Sequence, residues 1–312
     1  MNVKNNYKTA FVFPGIGVKL SGYEREIYNR YKSIYSPLLS KGSEKTGINL
    51  EDILNVNSVH DLDELSQQIF IFCFSAGTFR VLSEKNIQPS ISAGYSFGIY
   101  NALYASNGFS FNDGIVLLSN AFSCIKKVCL SLGKNIHTSV IIGLPIDIIE
   151  SLLQQDNYSS VAHINSNNEI CHIISGNREE MLDFNNAVRK EGALNVVDLD
   201  TTQPYHHPKF SGKSYTMFQP YINTITWNEP VFPIISTINQ KILTTADELK
   251  SFVADHLISP INLYKTSEYL CDNYFDPIIE CGPGISLTQN GRFIPNKARW
   301  INIKNCSKQL GI

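Results

Sequence analysis

The sequence predicts an α/β fold, in which helices flank a mostly parallel sheet and a smaller ferredoxin-like unit is inserted into the chain. Short apolar runs of strand length alternate with longer apolar or amphipathic stretches along most of the 312 residues. Between about residues 136 and 199 the order changes to strand, helix, two strands, helix and strand. A G-x-S-x-G pentapeptide at 94–98 stands between a strand-like run and a helix-like run.

The larger unit shows regular alternation of strand and helix patterns. In chain order, the patterns predict a strand over 9–13, a buried helix over 67–82, a strand over 90–93, helices over 99–104 and 113–128, and strands over 231–236 and 277–280. Strands that alternate with helices in this way form a mostly parallel sheet with crossover helices.

The inserted unit shows the order βαββαβ. Its predicted strands cover 138–143, 161–164, 170–174 and 194–199, and its predicted helices cover 145–155 and 178–191. The polar stretch 165–169 (N-S-N-N-E) suits the turn of a hairpin between the two central strands. This order is the split βαβ arrangement of ferredoxin-like units.

Composition excludes several classes of partner and cofactor. The net charge is −2 and no cluster of Lys and Arg is present, so nucleic acid is not expected as a partner. The chain opens without an apolar signal segment, and no apolar run approaches the roughly 20 residues that span a bilayer, so we expect a cytoplasmic protein without membrane attachment. The odd number of cysteines, seven, without a C-x-x-C pair favours reduced thiols over disulfides or zinc. No nucleotide-binding glycine loop occurs, and we expect neither a metal nor another cofactor.

The pentapeptide at 94–98 places Ser96 between a strand and a helix. Flanking glycines permit a tight turn that lifts the serine Oγ clear of the sheet, and the following helix directs N–H groups toward it. A serine presented in this way is suited to carry an acyl group. The pentapeptide alone also arises by chance, so the surrounding motifs decide its meaning.

Four motifs resemble those of one family in their order and approximate spacing. Residues 11–17 (F-V-F-P-G-I-G) resemble the family's F-V-F-P-G-Q-G, and 94–98 (G-Y-S-F-G) resemble its G-H-S-x-G. Residues 203–206 (Q-P-Y-H) are similar to the motif that ends in its catalytic histidine, and 280–284 (E-C-G-P-G) to its E-x-G-P-G turn. Through nearly its whole length the chain resembles the malonyl-CoA:acyl carrier protein transacylases and the acyltransferase domains of polyketide synthases, including trans-acting ones.

The resemblance implies an α/β-hydrolase-like large subdomain that carries a ferredoxin-like small one. We expect residues 1–132 and 202–312 to form the catalytic subdomain and 133–201 the small subdomain, with the active site in the cleft between them.

The resemblance also implies catalytic roles. Ser96 is expected to be the nucleophile and His206 the base. Acyl transfer between thioesters requires a hydroxyl nucleophile and an imidazole that acts as acid and base near neutral pH, which favours the same two residues. The alternative for His206 is a loop histidine without a role, which is the favoured interpretation of its neighbour His207. Asp198 and Asp200 lie close in sequence, but the family orients its histidine by a backbone carbonyl from a later loop, which here contains His256.

The oxyanion hole implied by the resemblance is formed by main-chain groups. The N–H of Phe97 is expected to be one donor and the N–H of Ile16 the other. Family members usually carry glutamine where Ile16 stands. Since only the main-chain N–H is needed, the hole should survive, while the acyl entrance becomes more apolar.

The largest departure from the family lies in the helix after the serine. Malonyl-selecting members carry an arginine there that pairs with the free carboxylate of the substrate, and Ala121 stands at that position. No arginine occurs between Arg80 and Arg178. Lys126 or Lys127 are less favoured replacements, because they lie one to two turns further along.

Further residues are expected in the substrate pocket. Tyr95 and Tyr205 are expected to line the acyl channel, with ordinary packing as the alternative. His256 stands where the family usually has glutamine. Asn165 matches a family asparagine near the site, with a hairpin-turn residue as the alternative.

These features predict a serine acyltransferase without a carboxylate clamp. It would move a non-carboxylated acyl group from an acyl-CoA or acyl carrier protein thioester to the phosphopantetheine thiol of an acyl carrier protein, in polyketide or fatty-acid-type biosynthesis. One alternative is an acyl hydrolase that clears stalled acyl groups from carrier proteins, as some arginine-lacking relatives do. An inactive scaffold is the alternative of another class.

Overall fold

The computed structural model describes residues 8–56, 62–132, 135–199, 201, 203–295 and 298–309. Two sheets organise this part of the chain. The larger sheet is mostly parallel and the smaller one is mostly antiparallel, which confirms the predicted α/β class with its hydrolase-like and ferredoxin-like parts. Residues 133, 200 and 202 lie outside the described residues, and the division of the chain at 133–201 stays a prediction.

The larger sheet has the strand order β11-β10-β1-β2-β7-β8. These strands are β1 (Lys8–Phe13), β2 (Ile91–Gly94), β7 (Ile234–Ile235), β8 (Ile242–Leu243), β10 (Phe275–Glu280) and β11 (Trp300–Asn302). All neighbours pair in parallel except β7 and β8. The strand predicted over 231–236 is reduced to two residues. Pro233 precedes it and has no N–H to donate to a ladder.

Helices cover both faces of this sheet and support the small unit. They are α1 (Tyr23–Arg30), α2 (Lys32–Thr46), α3 (Ile53–Val56), α4 (Glu64–Glu84), α5 (Ile99–Ala105), α6 (Phe111–Ser131), α7 (Ile146–Leu153), α8 (Arg178–Lys190), α9 (Gly212–Asn223), α10 (Ala246–His256), α11 (Leu263–Asp272), α12 (Ser286–Asn290) and α13 (Ile303–Gln309). Asp63 caps the start of α4, and a capping box formed by Ser110 and Asp113 starts α6.

Helices α4 and α6 form much of the core. Both have 21 residues and are long and apolar enough to span a membrane by length and composition. However, 78% and 61% of their most apolar windows are buried inside the fold, as in core helices of soluble proteins. This corrects the expectation that no apolar stretch approaches spanning length.

The smaller sheet has the order β6-β3-β5-β4-β9. Its strands are β3 (Ile136–Ile142), β4 (Ala162–Asn168), β5 (Cys171–Asn177), β6 (Asn195–Asp198) and β9 (Ile261–Asn262). The first four follow the predicted ferredoxin-like order. Strand β9 was not predicted; it comes from the later part of the chain and pairs in parallel with β4.

The predicted hairpin turn at 165–169 is wrong in its extent. Strand β4 continues through Asn168, and two irregularities in its pairing with β5 absorb the polar residues. The turn is confined to Glu169 and Ile170. Asn165 is therefore a buried strand residue, not a turn residue.

Parallel register brings the sequence motifs together at one edge of the larger sheet. Phe13 on β1 is opposite Gly94 on β2, and Val12 is opposite Glu280 on β10. The three motifs at 11–17, 94–98 and 280–284 therefore meet at the carboxyl ends of adjacent strands. Ligands of α/β sheets bind at this edge.

Glycine is required at the turn after β2. A Cβ on Gly94 would overlap the backbone of Ile99, and a Cβ on Gly98 would overlap the carbonyl of Phe13. Backbone cannot yield as a flexible side chain can, so the turn tolerates no larger residue at either position.

We predict that Gly94→Ala lowers the free energy of unfolding by about 3 kcal/mol or more, because the overlap involves main-chain atoms. Gly212→Ala is the matched control, since a Cβ there meets nothing within 4 Å. It should be neutral or slightly stabilising. Urea unfolding of both variants measures the difference, and equal stabilities would contradict the tight-turn account.

Candidate active site

Ser96 stands at the apex of the turn between β2 and α5. Its φ is 51°, in the left-handed region that a serine rarely adopts. A short 3-10 turn over Ser96–Gly98 leads from the strand into the helix. Strain of this kind persists where the surrounding fold imposes it, and it concentrates at functional positions.

His206 lies against Ser96 although 110 positions separate them in the sequence. Its Nε2 is 2.9 Å from the serine Oγ. Its Nδ1 donates to the main-chain oxygen of His256 at 3.0 Å. Since Nδ1 carries the proton, Nε2 is the free acceptor that faces the serine hydroxyl. His206 also has a positive φ, 59°.

Burial sets the protonation state of His206. The residue is buried, and loss of solvation lowers its pKa to about 4, while backbone hydrogen bonds oppose the shift. The imidazole is therefore neutral at physiological pH. A neutral imidazole whose acceptor nitrogen faces a hydroxyl can take the proton from it.

Two main-chain donors near Ser96 have no partner in the described part of the chain. The N–H groups of Ile16 and Phe97 donate to no other group there. Phe97 lies in the first turn after the serine, and Ile16 lines the same cavity as Ser96. Free N–H groups at this position suit the stabilisation of an oxyanion.

A small cavity of about 30 Å³ adjoins Ser96 and His206. Its other walls are mainly apolar and come from Ile16, Phe97, Tyr100, Leu118, Phe122 and Leu257. Three residues predicted for the pocket, Ala121, Tyr205 and His256, also line it. No lysine or arginine occurs among the described residues that line this cavity.

Tyr95 and Asn165 do not line this cavity, which corrects the prediction of their location. The Tyr95 ring packs with the apolar cluster on the opposite face of the larger sheet. Asn165 donates to the Tyr95 hydroxyl at 3.1 Å and accepts from the N–H of Leu263 at 3.2 Å. The two residues therefore connect the two sheets.

Lys126 lies outside the small cavity. Its Nζ is 5.8 Å from the centroid of the Phe122 ring, and the residue lines a neighbouring cavity instead.

The sequence did not indicate Gln68, which also lines the small cavity. Its Nε2 donates to the Tyr205 hydroxyl at 3.0 Å and fixes that ring against the site. Gln68 is buried directly before the apolar run 69–74 of α4. An amide directly before such a run was the available signal, because buried polar groups require partners.

His207 has a structural environment. Its Nε2 donates to the carbonyl of Ser160 at 2.9 Å, and its Nδ1 accepts from the N–H groups of Lys209 and Phe210. The residue is fully buried and connects the loop to the small unit. Asp198 lies elsewhere, paired with His137 at 3.0 Å, and Asp200 falls outside the described residues.

Within the ranges that the structure describes, no cluster of three His, Cys, Asp or Glu side chains could hold a metal ion. The site offers a serine, a neutral histidine and two N–H donors, and Gln68, Tyr205 and His256 are the other polar side chains of its walls.

Comparison with known proteins reveals relatives along most of the chain. The chain is 25% identical over 287 residues to a malonyl CoA-acyl carrier protein transacylase of Staphylococcus aureus, covering 90% of both sequences. It is 21% identical over 286 residues to the protein of that name from Bacillus subtilis, covering 90% of this chain and 88% of the relative. No family model matches the sequence.

Solved structures share the fold. An acyl carrier protein S-malonyltransferase from Vibrio cholerae superposes with a TM-score of 0.86 at 22% identity, covering 95% of this chain and 96% of that chain. The same values hold for a chain from the complex of a type II polyketide synthase acyl carrier protein with its malonyl-transacylase.

We predict that His206→Ala slows acylation of the protein by about 10²–10⁴-fold, because the proton acceptor is lost. His207→Ala should change that rate by less than about tenfold but lower the free energy of unfolding by about 1–3 kcal/mol, since its buried partners lose their hydrogen bonds. Acylation kinetics and urea unfolding measure the two effects. If His207→Ala slowed acylation more than His206→Ala does, His207 would be the base.

We predict that acylation stays constant from pH 8 down to about pH 5 and declines toward pH 4, since His206 accepts a proton only when neutral and its pKa is about 4. Near-ultraviolet circular dichroism must accompany the measurement. The unfolded state takes up protons on its histidines near pH 6.5, whereas the buried histidines do so only near pH 4, so stability falls as the pH drops between these values. An inflection in rate near pH 6.5 with the fold intact would contradict the neutral-base account.

Proposed function

We propose that this chain, which belongs to the family of the malonyl-CoA:acyl carrier protein transacylases, transfers a non-carboxylated acyl group rather than malonyl. It is an acyltransferase, and its partners are a thioester donor and an acyl carrier protein. The observation that carries the proposal is the Ser96–His206 hydrogen bond beside a cavity that has no cation among its described lining residues.

The first half-reaction would form an ester on Ser96. The serine hydroxyl gives its proton to Nε2 of His206 as Oγ attacks the thioester carbonyl. The N–H groups of Ile16 and Phe97 would stabilise the oxyanion. When the intermediate collapses, the C–S bond breaks, and the departing thiolate recovers the proton from His206.

The second half-reaction would run the same steps with another thiol. The phosphopantetheine thiol of the carrier protein gives its proton to His206, and its sulfur attacks the ester carbonyl. The C–O bond to Ser96 breaks, and Oγ recovers the proton. The hydrogen bond from His206 to the His256 carbonyl would hold the ring in one tautomer through both steps.

Charge decides which acyl group this cavity would accept. A malonyl group would carry a carboxylate against apolar walls, with Ala121 where the family resemblance places a pairing arginine. Burial of an unpaired carboxylate costs several kcal/mol. An uncharged group has no such cost.

Size restricts the acyl group further. The cavity volume of about 30 Å³ leaves room for only a small group, since about 10–15 Å³ of such space holds one water molecule. An acetyl group presents one methyl to such a space. We therefore expect acetyl to load faster than longer uncharged acyl groups.

The test below distinguishes acyl transfer from two other functions. Hydrolysis would use the same serine and histidine with water as the acceptor. An inactive scaffold is disfavoured by the aligned pair at 2.9 Å. We further propose that the enzyme acts in trans on a carrier protein in fatty-acid or polyketide-type biosynthesis, in the cytoplasm.

We predict that an acetyl thioester loads Ser96 about 100-fold or more faster than malonyl, because several kcal/mol of desolvation oppose the charged group. Ala121→Arg should shift the ratio toward malonyl, although the gain will be partial in a pocket not shaped for a guanidinium. Intact-protein mass spectrometry with acetyl, butyryl and malonyl donors measures the loading.

Ser96→Ala is the control and should carry no acyl group. Subsequent addition of a holo carrier protein identifies the acceptor: appearance of the acyl group on the carrier supports transfer, and loss without acyl-carrier supports hydrolysis. Faster loading with malonyl than with either uncharged donor would overturn the proposed selectivity.

A further inference from the structure

A second cavity lies beside the one at Ser96. It has a volume of about 390 Å³, more than ten times that of the catalytic cavity. Its walls include Leu65 near the start of α4 and Lys126, Cys129 and Leu130 on the last turns of α6. Of the described residues that line the two cavities, Phe122 alone lines both.

Phe122 occupies the position after Ala121 on α6 and is 9% exposed. Lys126 follows one helical turn later, and its Nζ lies 5.8 Å from the Phe122 ring centroid. A cation over an aromatic face favours that ring position. The phenyl group therefore lies between the small catalytic cavity and a much larger one.

The second cavity has the chemistry to receive a hydrocarbon tail. Leu65, Cys129, Leu130 and the Lys126 stem offer apolar surface. Asp63, Glu64 and Gln203 add polar groups to the same cavity. The Phe122 ring lies between the acyl position on Ser96 and this space, since it lines both cavities.

We propose that Phe122 sets the chain-length limit of the acyl group, restricting the wild-type enzyme to the shortest acyl groups. This inference rests on the proposed acyl transfer at Ser96. Removal of the ring would join the two cavities and admit acyl chains of six to eight carbons. Phe122 is thus a specificity-determining residue and takes no part in proton transfer.

The test compares wild type with Phe122→Leu and Phe122→Ala, using acetyl, butyryl, hexanoyl and octanoyl thioesters. In wild type, acetyl should load Ser96 at least about tenfold faster than hexanoyl, since added methylenes are discriminated by about 10–200-fold in a fitted pocket. In Phe122→Ala, the ratio of hexanoyl to acetyl loading should rise at least about tenfold over that of wild type. The corresponding ratio for Phe122→Leu should lie between those of wild type and Phe122→Ala.

Phe111→Ala is the matched control. It removes the same ring from the same helix, but Phe111 stacks on Phe72 and lines neither cavity. Its chain-length profile should equal that of wild type. If Phe111→Ala broadens the profile equally, general loosening of α6 explains the effect and the proposal fails.

Alkyl fluorophosphonates with chains from methyl to octyl provide a second readout, since they label an activated serine without thioester chemistry. If they reproduce the predicted profiles while no thioester loads Ser96, the length limit stands and the proposed acyl transfer fails. If acetyl thioester loads wild type but the profile is the same in all three Phe122 forms, the length limit is overturned and acyl transfer stands. Phe122→Leu keeps the test decisive should the alanine variant unfold.

Discussion

The site depends on one chain of hydrogen bonds, from the Ser96 hydroxyl through the His206 ring to the main-chain oxygen of His256. Its three members come from distant parts of the sequence: a turn after β2, a loop after the small unit and the end of α10. Main-chain geometry fixes both ends, because Ser96 is held at positive φ and the acceptor of the ring proton is a carbonyl. The side chain at position 256 is therefore free to differ from the family's residue without loss of this bond.

Sequence reasoning succeeded where local chemistry dictates structure. The serine turn follows from Gly94 and Gly98, whose close backbone neighbours leave no room for a Cβ. The βαββαβ order follows from periodicity and matches the observed order of the first four strands of the small sheet. The motifs at 11–17 and 280–284 meet Ser96 because parallel register aligns the carboxyl ends of their strands.

Sequence reasoning failed where tertiary packing decides the direction in which a side chain points. Tyr95 adjoins the serine in sequence, but strand alternation directs its ring to the opposite face of the sheet, toward Asn165. Gln68 and Phe122 lie on helices whose rotation about their axes decides which residues reach the cavity, and no motif marks them. Under the proposed function, Ala121 and Phe122 together would restrict the cavity to short, uncharged acyl groups.

A crystal structure of the protein soaked with an acetyl thioester in the absence of carrier protein tests the account most directly. It should show density continuous with Ser96 Oγ, the acyl oxygen within hydrogen-bonding distance of the Ile16 and Phe97 N–H groups, and the methyl in the cavity beside Ala121. Acylation of another residue, or an acyl oxygen directed away from both N–H groups, would contradict the assignment of this site.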